Sequence, residues 1–238
     1  MYDVACIDME GVLIPELWPH IAQATGIAEL AITTREVPDY PSLVAFRIAS
    51  LRRHGLRLVD VKALVNELAP LDGAKSFLES LRGLGLQLVL VSDAFIEMVY
   101  PLWTELGSPE IRCHRFICDE WGYVCEAHYV RSHGKHEVIA EFAAQGLSTL
   151  AVGDAFNDIS MLRSANAGFL FRPSTQTAQV AKDLKVAMAY EEILSAIGYT
   201  DPETSDPIEG ARPTSNLPSP PSANKTRDRR QKPAAIGA

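Results

Sequence analysis

Three short, almost uniformly apolar runs, Val4–Ile7, Leu86–Val91 and Leu147–Val152, constrain the fold of this chain more than any other feature. Apolar runs without polar alternation read as strands buried on both faces, and such strands belong to parallel sheets covered by helices. Between them the apolar spacing turns helical. Ala74, Phe77, Leu78 and Leu81 mark one helix, ended by Gly83 and Gly85. Further helices are expected over 95–106, 135–144 and 159–164, and near Thr175 and Glu191–Ile197. Further strands are expected over 167–171 and near Val186. Residues 111–130 read as an irregular hairpin turning near Glu120-Trp121-Gly122. The pattern predicts an α/β fold with a parallel sheet between helical layers.

One block breaks the alternation. From about residue 15 to 70 the spacing is helical throughout, with Leu17, Ile21, Leu43, Phe46, Ile48, Leu51, Val61, Leu64, Val65 and Leu68 at the apolar positions. A helical insertion is expected there, leaving residues 1–14 and 71–200 as the sheet domain. Residues 201–238 are rich in Pro, Ser, Thr and Asn and poor in large apolar residues, so a disordered tail is expected. A length of 238 residues suits one domain with such an insertion. The net charge of -8 argues against nucleic acid as the main partner. Four cysteines are too few for a disulfide scaffold, and no apolar run is long enough to span a bilayer. A cytoplasmic protein without a membrane partner is expected. Oligomeric state is not legible.

The first and third runs end in acid. Asp8-Met9-Glu10-Gly11 follows Ile7, and Asp154-Ala155-Phe156-Asn157-Asp158 follows Gly153. Strand ends are where parallel sheets place their chemistry. Two acidic ends at one sheet edge suggest a hard-cation site beside a carboxylate nucleophile. A carboxylate attacking a phosphomonoester faces repulsion, which a divalent cation, a lysine and hydroxyl groups relieve. Asp8 is the candidate nucleophile. Glu10, two residues on along an extended backbone, is the candidate acid/base. Asp154 completes a metal site with Asp8. Ser92 offers a hydroxyl from the second run, and Lys135 a phosphate-neutralising charge, with Arg131 its nearest rival.

Asp8-Met9-Glu10-Gly11, Val91-Ser92-Asp93, Lys135 and Gly153-Asp154-Ala155-Phe156-Asn157-Asp158, in this order, resemble the motifs of the haloacid dehalogenase superfamily. The inserted helical block and Asn157-Asp158-Ile159-Ser160-Met161 look like its phosphoserine phosphatase branch. Asp8 to Trp18, Thr33-Thr34-Arg35, Pro38-Asp39-Tyr40 and Cys113-His114 look like bifunctional phosphoserine phosphatase/homoserine phosphotransferases, which also carry Glu at the second acidic position. The resemblance implies a Rossmann-like core, a small helical cap over residues 15–70 and an aspartyl-phosphate on Asp8. It implies Mg²⁺ held by Asp8, the Glu10 carbonyl and Asp154, with Asp158 acting indirectly. Ser92, Asp93, Lys135 and Asn157 would attend the phosphate. Glu16 would meet a substrate ammonium and Arg47 its carboxylate, the substrate being O-phosphoserine and the acceptor water or homoserine.

Other readings stay open on the residues alone. The chain could hydrolyse another small phosphomonoester, or be a catalytically weak regulatory protein in which Glu10 no longer moves protons. Cys113, His114, Cys118, Cys125 and His128 crowd the hairpin, but without a Cys-x-x-Cys knuckle zinc is not expected there. Basic residues at 225–232 read as a solvated end.

Overall fold

The computed structural model describes residues 2–33, 36–37 and 39–199; the expected disordered tail, 201–238, and Thr34, Arg35 and Pro38 lie outside the described residues. β1 (Val4–Ile7) forms the middle of a seven-stranded sheet of order β4-β3-β2-β1-β5-β6-β7. Its neighbours are β2 (Gln87–Phe95) and β5 (Thr149–Gly153), both parallel to it. β6 (Ala167–Phe171) and β7 (Lys185–Ala187) continue the parallel run outward. On the other side β3 (Glu110–Cys118) starts parallel to β2, then pairs antiparallel with β4 (Val124–His128). This is the expected α/β architecture, and the expected hairpin doubles as its sheet edge.

Alternation along each strand divides the core between two helical layers. Ala5, Ile7, Leu88, Leu90, Leu150 and Val152 point to one layer. There they meet Phe77, Leu78 and Leu81 of α4 (Ala74–Gly83), Met98 and Leu102 of α5 (Ile96–Glu105), and Ile193 of α9 (Tyr190–Ala196). Val4, Cys6, Val89, Val91 and Ala151 point to the other. There they pack on Val138, Ile139 and Phe142 of α6 (His136–Ala144) and on Met161 and Leu162 of α7 (Ile159–Ser164). α8 (Thr175–Val180) links β6 to β7. Phe77 is fully buried; truncating such a ring typically costs about 3–5 kcal/mol.

Between β1 and α4 the chain forms α1 (Leu17–Thr25), a 3₁₀ turn at Ala28–Ala31, α2 (Tyr40–Arg53) and α3 (Leu58–Val65). Their apolar sides, including Ile21, Leu30, Val44, Leu51 and Val61, are buried. Asp39 caps α2 by accepting from the Ser42 amide at 2.9 Å. The segments that leave and re-enter the sheet domain at this insertion touch, since the Leu71 amide donates to the Leu13 carbonyl at 2.9 Å.

β2 runs past the expected end at Val91. Its pairing with β3 shifts between Val91 and Phe95, where Phe95 lies opposite His114. Ser92 and Asp93 therefore sit inside an irregular strand end, not in a loop. Continued pairing by the long β3 holds that end extended, which the apolar run could not reveal. No helix among the described residues is long and apolar enough to cross a membrane.

Candidate active site

Register brings the chemistry together. Ile7 lies opposite Leu90 on one side and Val152 on the other. The residues that follow, Asp8, Ser92 and Asp154, thus emerge at one sheet edge. The Asp8 amide donates to the Val152 carbonyl at 2.9 Å, which extends the ladder by one bond beyond β1.

Asp8 is buried, and one of its oxygens accepts from the Met9 amide and from Lys135 Nζ, each at 2.7 Å. Lys135 also donates to Asp158 Oδ1 at 2.6 Å and is itself 1% exposed. It stands at the head of α6, whose Val138, Ile139 and Phe142 fix that helix on the sheet. Burial pushes the Asp8 carboxyl up, Asp158 reinforces the shift and Lys135 opposes it. Burial would lower the Lys135 ammonium, but Asp158, Asp8 and Asp93 outweigh it and hold it charged. Arg131, the rival cation, is committed elsewhere.

The loop after β5 is tied by Asp158, whose Oδ2 accepts from the amides of Asp154 and Ala155 at 3.0 Å each. Glycine is required on both sides of this loop. A Cβ on Gly153 would lie 2.5 Å from Asp158. A Cβ on Gly11 would lie 2.4 Å from Asp154 Oδ2, and Gly11 has φ +77°. Asp8, Asp154 and Asp158 each bring a carboxylate oxygen within 4.8 Å of the others. Burial and Asp158 raise the Asp154 carboxyl to about 7. Hard oxygen donors this crowded, with one lysine to offset them, fit a small divalent cation. The Cys and His residues of the hairpin form no such cluster among the described residues.

Glu10 reaches the site by a route the extended-backbone reading missed. β1 ends at Ile7, and residues 9–14 form a tight turn in which the Met9 carbonyl accepts from Leu13 and Ile14. Glu10 accepts from the Leu17 amide at 2.8 Å, so it also fastens the start of α1. Burial and neighbouring Glu16 raise its carboxyl to about 7. The Glu10 side chain is not part of the three-carboxylate cluster.

The insertion adds two further charges. Arg47 of α2 is buried, lies 4.5 Å above the Trp18 ring and donates to the Ile32 carbonyl at 2.8 Å. Its Nε is buried without a hydrogen-bond partner. Glu16 is exposed as a residue, yet enough protein surrounds its carboxyl to raise it, against the pull of Lys135 and Arg47.

The Asp93 carboxylate is held by side chains from neighbouring segments. Its Oδ1 accepts from Arg131 at 2.8 Å and its Oδ2 from Asn157 at 2.8 Å, with His114 Nε2 3.6 Å away. Lys135, His114, Asn157 and Arg131 overcome burial and hold its carboxyl well below the usual carboxylate range. Both carboxylate oxygens are thus engaged by neighbouring side chains. Ser92 is buried and its hydroxyl accepts from the Ala94 amide at 3.1 Å. Arg131 also donates to the Ser92 carbonyl at 2.6 Å and the Arg112 carbonyl at 2.7 Å. Gly11 stood in the acidic motif, Arg131 as a rival of Lys135, and Tyr40 and His114 in the family resemblance, but the sequence assigned none of them these contacts; only the glycine, directly after the acidic pair, carried a local signal.

The family model of haloacid dehalogenase-like hydrolases matches residues 2–166. A phosphoserine phosphatase of Pseudomonas syringae pv. tomato is 37% identical over 191 residues, covering 80% of each chain. The phosphoserine phosphatase ThrH of Pseudomonas aeruginosa is 36% identical, covering 80% of this chain and 93% of that one. A crystal structure of phosphoserine phosphatase in apo form superposes with a TM-score of 0.68 at 21% identity, over 82% of this chain and 98% of that one, which shows the shared fold. An acidic sheet edge built on β1 and β5, closed by a buried lysine and matched over most of its length by these relatives, places the chain in the haloacid dehalogenase-like hydrolase family.

Proposed function

We propose that this chain is a Mg²⁺-dependent phosphoserine phosphatase that works through an aspartyl-phosphate on Asp8 and can also pass the phosphoryl group to homoserine. The observation that carries the reading is the buried Lys135 bridging Asp8 and Asp158, beside an Asp154 that no described ion pair reaches. A purely regulatory protein has no use for a desolvated nucleophile so arranged. The names of the two close relatives support the substrate.

In this reading one Asp8 oxygen attacks phosphorus while Lys135 holds the other and offsets the negative charge. The P–O bond to the serine oxygen breaks, and Glu10, half protonated near neutrality, donates its proton to that oxygen. Glu10 then takes a proton from water or from the homoserine hydroxyl as that oxygen attacks the aspartyl-phosphate, which returns Asp8 to a carboxylate. Ser92, Lys135 and Asn157 attend the phosphate oxygens. Asp8, the Glu10 carbonyl and Asp154 would hold Mg²⁺, with Asp158 fixing their loop. Bound there, the cation supplies positive charge against the phosphate dianion. The helices over residues 15–70 act as the cap, where Arg47 pairs the substrate carboxylate and Glu16 its ammonium. Four cysteines without a disulfide support a cytoplasmic setting.

Phosphate release from a panel of phosphorylated amino acids and sugars, with and without homoserine, tests this. Phosphoserine should lead the panel, EDTA should abolish turnover and Mg²⁺ should restore it. A sugar phosphate preferred over phosphoserine would defeat the substrate assignment, and full activity in EDTA the mechanism.

A further inference from the structure

The peptide between Ser92 and Ala94 is a crossroads. From the helical insertion, the Tyr40 hydroxyl at the start of α2 donates to the Asp93 carbonyl, across 53 residues of sequence. From the loop ahead of Lys135, Arg131 donates to the Ser92 carbonyl and to Asp93 Oδ1. From the loop bearing Asp154 and Asp158, Asn157 donates to Asp93 Oδ2. From β3, His114 stands 3.6 Å from Oδ1; its Nδ1 accepts the Val130 amide at 3.3 Å, so its Nε2 carries the proton that faces Asp93. The insertion, the strand end that carries the phosphate-binding hydroxyl and the loops behind the lysine and the metal acids are thus fastened to one residue.

The Tyr40 end of this junction is the more accessible one. Tyr40 is half-buried, and its ring lies 6.2 Å from both His114 and Tyr129 at tilted and edge-on angles. Its ring packs on the edge of the hydrophobic core, and its hydroxyl makes the one hydrogen bond to the strand end. The core end is tighter. His114 is 3% exposed, and Arg131's side chain is 5% exposed.

We propose that Tyr40 and Asp93 form a latch that couples the position of the cap to the geometry of the phosphate pocket, each acting as a positioning residue. The proposal rests on reading residues 15–70 as a cap over that pocket. With the latch made, the Asp93–Ala94 peptide is held, and with it the strand end from which Ser92 faces the phosphate. Through the Asp93 carboxylate, the same event settles the Asn157 and Arg131 loops. With it broken, the insertion moves free of the strand end and product leaves.

Tyr40→Phe tests this, because it keeps the ring and removes only the donor. Hydrogen exchange of the unliganded proteins decides the latch without any substrate. Amides of 40–53 and of 92–95 are expected to exchange faster in Y40F, while those of β5 stay unchanged; identical exchange in both segments overturns the latch. In turnover, kcat/KM for phosphoserine is expected to fall between about twofold and tenfold, the net worth of one hydrogen bond. p-Nitrophenyl phosphate uses the same phosphate pocket but lacks the groups that Arg47 and Glu16 would hold, so its hydrolysis should fall too, by a smaller factor; a wild-type rate would mean that the latch does not reach the pocket. An equal loss on both substrates overturns the coupling and makes Tyr40 part of the scaffold. A wild-type enzyme inactive on phosphoserine would defeat the substrate reading, and the exchange comparison would still decide the latch.

Discussion

Lys135 carries the largest single consequence at the scale of residues. It is enclosed by Asp8 and Asp158 at 2.7 and 2.6 Å with almost no solvent contact. Lys135→Met should therefore strand two buried carboxylates, and losing one partner of a buried pair typically costs about 3–5 kcal/mol. Urea melts should show that cost at pH 8 and a narrower gap to wild type at pH 5, where the Asp8 carboxyl, raised by burial, is relieved by protonation. A gap independent of pH would mean that Lys135 contributes through packing. Arg47 offers a cleaner functional probe. Its guanidinium already has Trp18 beneath it and the Ile32 carbonyl beside it, and its buried Nε lacks a hydrogen-bond partner. Arg47→Ala should cost about 1.5–3 kcal/mol in kcat/KM for phosphoserine, roughly ten- to a hundredfold, and far less for p-nitrophenyl phosphate. Equal losses would make Arg47 a structural residue.

At the scale of elements, the turn over residues 9–14 does more than connect β1 to α1. It aims Glu10, and it leaves room for Asp154 only because Gly11 has no side chain. Gly11→Ala would force a methyl to 2.4 Å from a carboxylate oxygen at a φ that side chains avoid. Calorimetry should show Mg²⁺ affinity reduced at least tenfold. Gly168 is the control. There a Cβ would meet the Leu162 carbonyl at 2.2 Å, in the packing of α7 on β6. Gly168→Ala should lower the melting temperature by overpacking, worth about 1–3 kcal/mol, and leave Mg²⁺ affinity unchanged. If both variants lose affinity alike, the turn has no special hold on the metal acids.

At the scale of the whole molecule, the acidic edge links stability to pH and to the cation. Asp154 has a carboxyl raised to about 7 in the fold against an ordinary 3.8, and Glu10 one raised to about 7 against 4.5. Between those values the native state binds protons that the unfolded chain has released. Without metal, stability should thus fall as pH rises from about 4 to about 7. A divalent cation held by Asp154 must displace its proton, so the rise in melting temperature on adding Mg²⁺ should be larger at pH 8 than at pH 5. Thermal scans at both pH values check this, and an equal or reversed rise would place the cation elsewhere. The strands, their order of chemistry and the principal acids were legible in the sequence. Unbroken apolar runs can be buried only inside a parallel sheet, and Asp8, Asp154 and Lys135 stand directly at the ends of such elements. Asp93 was legible as a neighbour of Ser92 but not in its contacts, because its carboxylate's partners Arg131, Asn157 and His114 arrive from three segments distant in sequence. The same holds for Tyr40, His114 and Arg131, whose contacts depend on where helices and loops settle. The strand past Val91 is likewise set by its pairing with β3, and the direction of Glu10 by a turn packed against Asp154. Local pattern determines what a segment must bury; only the assembled structure decides which polar groups, once buried, find one another, because each buried donor and acceptor must be met by whatever the packing brings near.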